Sequence, residues 1–147
     1  MTQQRCIVAE ARSWVGTPYL HQASVRGAGT DCLGLVRGVW RAVIGMEPET
    51  VPSYSDDWAE PERDEVLLRA SERWLVRKDR HQSEIGDVLL FRMRADGVAK
   101  HLGIQTEIGG GAAFVHAYSG HGVVESPLSQ PWLRRIVARF IFPDGAE

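Results

Sequence analysis

The sequence predicts an α+β fold in which N-terminal helices pack on a C-terminal antiparallel β-sheet. Apolar residues recur at helical spacing through the first half of the chain. Short apolar runs separated by glycine-containing turns occupy the second half. Helices and strands that are segregated along the chain in this way favour helices on one side of an antiparallel sheet.

Three helices are predicted in the first half. The first spans residues 2–14 and has Thr2 as its N-cap. The second spans residues 32–44, is apolar on most of its surface and ends at Gly45. The third, residues 62–77, is amphipathic, with its charged residues outward.

Five strands are predicted after these helices, and we expect them to follow one another in the sheet. The segments 19–29 and 47–60 read as loops, and the charged run 77–80 reads as a solvated face. The predicted strands are residues 88–91, 101–106, 113–117, 123–125 and 135–142.

Composition limits the class of protein. With 147 residues, 44% hydrophobic and 24% charged, the chain is expected to be a single soluble domain with a substantial core. A net charge of −2 gives no electrostatic reason to expect nucleic acid as a partner. No apolar run has the length of a membrane span, and the polar N-terminus lacks the apolar core of a signal peptide. We therefore expect synthesis in the cytoplasm and no membrane insertion.

Cys32 is the candidate nucleophile. It follows a glycine-containing loop and begins the second helix, which Thr30 or Asp31 can cap. The positive end of a helix favours a thiolate, and its free N–H groups can hold an oxyanion. We therefore expect a lowered pKa for the Cys32 thiol. The other cysteine, Cys6, is predicted to be buried and inert.

Two histidines, His101 and His116, are candidate partners for this thiol. Both lie on predicted strands, where residues distant in sequence can be neighbours. One imidazole would deprotonate the thiol and the other would orient the first. A zinc site is the alternative use of the three side chains, with His21 or His121 as a further ligand. However, no Cys or His pair has the short spacing of structural zinc motifs, so no metal or other cofactor is predicted.

Five short motifs occur along nearly the whole chain. They are GTPY at residues 16–19, DCLGLV at 31–36, GDVLLF at 86–91, HLGI at 101–104 and FVHA at 114–117. In order and rough spacing they resemble the NlpC-type bacterial cell-wall peptidases, which are papain-like cysteine peptidases with a Cys-His-His catalytic set. The resemblance implies a papain-like fold and one peptidase domain over residues 1–147. It also implies that Cys32 is the nucleophile, His101 the general base and His116 the residue that orients it.

The same resemblance implies a substrate. This is the stem peptide of peptidoglycan, cleaved between a D-γ-glutamyl residue and a diamino acid. Tyr19 would complete the oxyanion hole or contact the substrate, and Asp31 would help to bind the free amine of the stem peptide. Without this resemblance, the sequence is equally consistent with Tyr19 being a loop aromatic that covers the core.

One departure from the family follows the nucleophile, where most members have serine and this chain has Leu33. This leucine, with residues 123–128 and 139–143, resembles the branch encoded in phage tail modules and phage-derived gene transfer agents. The resemblance implies tail-tip, hub or baseplate proteins as partners and action in the periplasm or cell wall of a target cell. The alternative is a structural tail component that keeps the fold but has no activity.

Aromatic residues outside the periodic elements are the candidate docking residues for such a tail. Tyr54 and Trp58 lie in the loop 47–60 and are expected to be exposed. Trp132, in the segment around residues 131–132, is a further candidate. For the aromatics of both segments, and for Trp132 above all, capping of the core is the alternative.

Overall fold

A six-stranded antiparallel β-sheet with three helices on one face forms the centre of this computed structural model, which describes residues 2–145. The helices are α1 (Gln3–Ser13), α2 (Cys32–Val39), α3 (Val66–Trp74) and the single turn α4 (Gln130–Leu133). A separate hairpin consists of β1 (Ser24–Val25) and β2 (Gly29–Thr30). The sheet consists of β3 (Val76–Lys78), β4 (Val88–Arg92), β5 (Ala99–Glu107), β6 (Ala113–Tyr118), β7 (Gly122–Pro127) and β8 (Ile136–Ile141). The predicted α+β fold is confirmed.

The first two helices begin and end as the sequence predicts. The side chain of Thr2 accepts a hydrogen bond from the backbone N–H of Arg5 and caps α1. Asp31 caps α2, which continues as a turn of π-helix (Trp40–Ile44). Gly45 ends it with a φ of 146°, a conformation open to glycine and not to residues with a Cβ.

The third helix, α3, is shorter than the predicted range 62–77, because both of its flanks adopt other structures. It begins at Val66, after a 3₁₀ turn (Glu60–Glu62) and Arg63. The left-handed backbone of Arg63, at φ 54°, cannot continue a helix. Beyond Trp74 the chain becomes extended and pairs as β3 with β8.

The strand order in the sheet is β3-β8-β4-β5-β6-β7. The C-terminal strand β8 therefore lies between β3 and β4, and the expected sequential order is wrong at this point. Residues 88–91 of β4 are fully buried, and their backbone groups are paired on one side by β5 and on the other by β8. The edge strand β3 includes Lys78 of the charged run 77–80, which is thus only partly a solvated face.

Two apolar clusters lie on opposite faces of the sheet, because side chains alternate along its strands. On the helix side, Leu102 and Ile104 of β5 pack with residues of α1, α2 and α3. On the other side a smaller cluster is built around Phe91 and Phe114 and is covered by Trp132. Strand β5 is therefore buried on both faces. No helix within residues 2–145 is long and apolar enough to cross a membrane.

Two glycines allow α2 to approach its neighbours closely. A Cβ at Gly34 would collide with the carbonyl oxygen of Ala23 and the hydroxyl of Thr30. A Cβ at Gly38 would collide with the ring of Trp14 in the residues that follow α1. The contact at Gly34 holds the start of α2 against the β1–β2 hairpin, and the contact at Gly38 holds α2 against the residues that follow α1.

A buried ion-pair network connects the edges of β3, β4, β5 and β8. The Arg139 side chain is 2% exposed and donates hydrogen bonds to the Asp87 carboxylate at 2.8 Å and to Gln105. Its Nε also donates to the carbonyl of Arg80 at 3.0 Å. The amine of Lys78 lies 3.2 Å from the same Asp87 carboxylate. The network thus fixes the position of β8 inside the sheet.

Replacement of Arg139 by methionine is expected to lower the free energy of unfolding by about 3 kcal/mol. The reason is that the buried Asp87 carboxylate loses its closest cation while its desolvation remains. Urea denaturation followed by circular dichroism measures the change. The control is Arg77→Met, which removes a half-exposed ion pair with Glu72 and should change stability by less than about 0.5 kcal/mol. Equal unfolding midpoints for the two variants would contradict a stabilising role of the network.

Candidate active site

Cys32 is the first residue of α2, and hydrogen bonds of Asp31 fix the position of the segment before it. The carboxylate of Asp31 accepts hydrogen bonds from the N–H of Gly34 at 2.7 Å, the N–H of Gln22 at 2.7 Å and the hydroxyl of Tyr54. Asp31 is therefore buried with its oxygens occupied. The cap that the sequence predicts is present, but it leaves this carboxylate no free oxygen in the resting state.

Four of the five sequence-predicted site residues line one cleft of about 150 Å³: Tyr19, Asp31, Cys32 and His101. The fifth, His116, lies behind His101. A backbone bridge between Tyr19 and Thr30 holds the tyrosine beside the start of α2. The other main side chains of the cleft are His21, Asp56, Trp58, Met93, Lys100 and Tyr118.

The two histidines form a buried pair. Nε2 of His101 and Nδ1 of His116 share a hydrogen bond of 2.8 Å. On its other side, Nε2 of His116 and Oγ of Ser126 lie 2.9 Å apart. Ser126 is a residue that sequence reasoning missed. The sequence shows only a serine at the end of the strand that follows the His116 strand. Many surface serines have the same sequence context, so this position could not be recognised.

Aromatic rings enclose the imidazole pair. The ring of Phe114 stacks on His116 with 4.1 Å between centroids. The ring of Trp132 lies 5.6 Å from His101 and 5.1 Å from His116. Trp132 therefore caps the pair, as the core-capping alternative predicts, while a docking role for its exposed part stays a prediction.

Burial determines the protonation states of the site. Burial, and then the neighbouring His116, lowers the pKa of His101 to about 3. Burial, and then His121, lowers the pKa of His116 to about 4. Burial, and then the Asp31 charge, raises the pKa of the Cys32 thiol to about 12, against the effect of nearby backbone N–H groups.

The expected lowering of the thiol pKa is therefore wrong for the substrate-free protein. The helix N-terminus does favour the thiolate, but burial and the adjacent Asp31 carboxylate outweigh it. At neutral pH both Cys32 and His101 are uncharged. Among residues 2–145, no hydrogen bond joins the Cys32 sulfur to His101. The resting site thus holds a thiol beside a neutral base.

The cleft is covered by aromatic residues that the sequence assigns to docking. The hydroxyl of Tyr54 donates a hydrogen bond to Asp31, and its ring stacks on Trp58 with 4.3 Å between ring centroids. Trp58 is only 6% exposed, so the expected exposure of these residues is wrong. Burial, and then Asp31, raises the pKa of Tyr54. Around this covering segment, Trp58, Ala59 and Arg63 have left-handed backbones with φ between 53° and 61°.

Leu33 does not line the cleft. It lies instead in an apolar pocket of about 140 Å³ between α2, α3 and the segment 47–52, near Leu67 and Leu102. The residue that follows Cys32 therefore packs toward α3.

Cys6 takes no part in this cleft. It is only half-buried, because α1 turns Ile7, Val8 and Ala11 toward the core, so its expected burial is wrong. His21, a candidate metal ligand, does line the cleft. In the part of the chain that the structure describes, no three His, Cys, Asp or Glu side chains are arranged to hold a metal ion.

Known proteins share this fold. The structures it resembles include an NLP/P60 family protein similar to a lipoprotein from Staphylococcus aureus (TM-score 0.62, 18% identity) and an NlpC/P60 family protein from Bacillus cereus (TM-score 0.65, 20% identity). Each match covers 95% of this chain, which spans only 41% and 40% of those proteins. The NlpC/p60 domain of the peptidoglycan hydrolase SagA is also similar (TM-score 0.62, 22% identity), with 93% of this chain and 97% of that domain covered.

At these identities the structural likeness establishes the fold alone. No curated protein matches the sequence. The family assignment comes from the sequence itself, because the pattern of the NlpC/P60 family matches residues 16–140, which include the cleft and the imidazole pair. The chain therefore belongs to the NlpC/P60 family.

Proposed function

We propose that this protein is a cysteine peptidase that hydrolyses the stem peptides of peptidoglycan. The observation that carries the proposal is the hydrogen-bonded pair of buried imidazoles, one of which shares a cleft with a cysteine at a helix start. A nucleophile, a base and a group that orients the base are the parts that covalent acyl transfer needs. Membership of the NlpC/P60 family and the likeness to the domain of a peptidoglycan hydrolase support the choice of substrate.

In the proposed mechanism the proton moves as the thiol attacks. Nε2 of His101 is engaged by His116, so Nδ1 is the nitrogen that receives the Cys32 proton. The sulfur attacks the scissile carbonyl, and the backbone N–H of Cys32 holds part of the oxyanion. His101 then protonates the leaving amine, and water hydrolyses the thioester. Because the resting pair is neutral, the charged pair forms only with substrate in the cleft.

The proposed bond is the one between a D-γ-glutamyl residue and a diamino acid. Tyr19 lines the cleft beside Cys32 and is proposed to contact the substrate or the oxyanion. Asp31 is proposed to bind the free amine of the stem peptide. Its Oδ2 already accepts hydrogen bonds from Gln22 and Tyr54, whereas Oδ1 accepts only from Gly34 among residues 2–145. The amine would therefore bind through the remaining acceptor capacity of Oδ1 or displace the Tyr54 hydroxyl from Oδ2.

The proposed setting is the tail tip of a phage-like particle that opens the cell wall during DNA delivery. The support is the resemblance of Leu33 and of the C-terminal motifs to the tail-encoded branch of the family. The chain would be made in the cytoplasm, assembled with hub or baseplate proteins and brought to the wall of the target cell. Of the candidate docking residues, Trp58 is buried inside the fold, whereas Tyr54 and Trp132 are half-buried and could still contribute their exposed edges to a docking surface.

A second candidate is a catalytically silent tail component with the same fold. The observation that favours it is the burial of the Cys32 thiol, which raises its pKa and leaves it without a hydrogen bond to His101 in the described residues. Digestion of purified cell walls separates the two candidates.

Cys32→Ala is expected to abolish the release of muropeptides from purified peptidoglycan, because the thiol is the group proposed to form the acyl-enzyme. Mass spectrometry of the soluble products measures the loss and identifies the bond that the wild-type protein cleaves. Cys6→Ala is the control and should retain activity, since Cys6 lies on α1 outside the cleft. Undiminished digestion by the Cys32 variant would contradict the mechanism, and a wild-type protein without products would favour the silent component.

His101→Asn is expected to cost about as much activity as the loss of the thiol, because this residue transfers the proton itself. His116→Gln should retain more activity, since an amide can keep one hydrogen bond to His101. Steady-state rates of muropeptide release rank the variants. The opposite order would mean that the two histidines have exchanged roles.

Purified phage-like particles from cells that express this chain are expected to contain it. Immunoblots of banded particles measure its presence, and deletion of a tail-tip protein should remove it while leaving heads intact. Recovery of the chain only as free protein would reject the tail setting and leave a role in lysis or wall remodelling.

A further inference from the structure

Ser126 lies on β7 and forms the outer end of a chain of hydrogen bonds that starts at His101. Its Oγ is 2.9 Å from Nε2 of His116, whose Nδ1 is 2.8 Å from Nε2 of His101. Ser126 is half-buried and borders an open groove of about 710 Å³ that contains Ser129 and residues 109–111. The hydroxyl thus joins a buried ring to a solvent-accessible surface.

We propose that Ser126 is a positioning residue that keeps His116, and through it His101, in the tautomer that catalysis requires. The proposal rests on the proposed function, since it concerns how the base of that mechanism is prepared. In it, the Ser126 hydroxyl accepts a hydrogen bond from Nε2–H of His116 and directs its own proton into the groove.

Two directions of hydrogen bonding are possible along this chain of groups. In one, His101 donates from Nε2 to His116, and His116 donates from Nε2 to Ser126, so Nδ1 of His101 is bare and basic. In the other, Ser126 donates to His116 and His116 donates to His101, so Nδ1 of His101 carries a proton and cannot accept another. Only the first direction supplies a base to Cys32.

When His101 is protonated, only the first direction of hydrogen bonding is possible. Once His101 has taken the thiol proton, both of its nitrogens carry hydrogen, so Nε2 must donate to Nδ1 of His116. His116 must then donate from Nε2, and Ser126 is the only side chain among the described residues that hydrogen-bonds this nitrogen. Without that acceptor, a buried N–H would be unpaired at the step where charge develops, and this is unfavourable.

Ionisable groups around the pair do not supply a substitute for the serine. His121 and Tyr118 adjoin His116, and the Tyr118 ring stacks on it with 5.6 Å between centroids. On the other side, Cys32, Asp31 and Lys100 face His101 across the cleft. None of these side chains makes a hydrogen bond to Nε2 of His116.

The test uses Ser126→Thr and Ser126→Val, two variants of nearly equal shape that differ in the hydroxyl. Ser126→Ala is a third variant that introduces no bulk, and Ser129→Ala in the same groove is the control. Circular dichroism and thermal unfolding establish that each variant is folded. Nitrogen-15 NMR of the histidine rings then identifies the tautomer of His116, and iodoacetamide labelling of Cys32 is followed against pH.

Wild type, Ser126→Thr and Ser129→Ala are expected to show the Nε2–H tautomer of His116 and one common labelling profile. Ser126→Val and Ser126→Ala should lose that tautomer preference and shift the Cys32 labelling profile to higher pH. Their kcat for muropeptide release should fall about ten-fold with little change in KM, as expected for a lost hydrogen bond to a group that becomes charged.

Unchanged tautomer and labelling profiles in the valine and alanine variants would overturn the proposal. So would a threonine variant that behaves like the valine variant, because the effect would then come from shape. The NMR and labelling measurements need no substrate. A tautomer that responds to Ser126 in a protein that releases no muropeptides would therefore support the positioning role while rejecting the proposed function.

Discussion

Burial of β5 on both faces is the constraint on which the rest of the site depends. A strand of this kind must supply alternating side chains to two different environments. Leu102 and Ile104 face the helices and anchor α2, while His101 and Gln105 face the opposite side. The backbone N–H of Leu102 also lies close enough to the Cys32 sulfur to affect its pKa. Leu102 and His101, neighbouring residues of one strand, thus place the Cys32 thiol and an imidazole at the same cleft.

Asp31 performs two tasks that oppose each other. As a cap it satisfies backbone N–H groups and fixes where α2 begins, which places Cys32 in the first turn. As a charge it disfavours the thiolate that the helix terminus would otherwise stabilise. The outcome is a protected thiol in the resting protein. In the proposed mechanism, reactivity would come from proton transfer to His101 during attack and not from a thiolate in the resting protein.

Local patterns in the sequence were sufficient for most elements but not for their long-range arrangement. The cap at Thr2 and the stop at Gly45 are decided by neighbouring residues, and both were predicted. The insertion of β8 between β3 and β4 depends on the buried pair of Arg139 and Asp87, which lie 52 positions apart and show no periodicity. The cleft residues were predictable from their motifs, whereas the contact of Ser126 with His116 exists only through strand pairing.

The burial of single aromatic residues was the other property that the sequence could not predict. Trp58 and Trp132 lie outside periodic elements, so nothing local distinguishes a ring that covers a cleft from one that faces solvent. The same holds for the thiol pKa, because the sequence indicates the helix terminus but not how deeply the sulfur is buried. Tertiary packing decides both properties.

The left-handed residues beside the cleft also determine how it can widen. Trp58, Ala59 and Arg63 each hold a backbone conformation that costs a residue with a Cβ about 1–2 kcal/mol. That energy is recovered when the segment comes away from the surface, whereas separation of the sheet strands would break paired hydrogen bonds. Movement of this segment can therefore widen the cleft while the sheet that carries both histidines stays intact, but it must also expose the Trp58 ring, which is only 6% exposed in the closed protein.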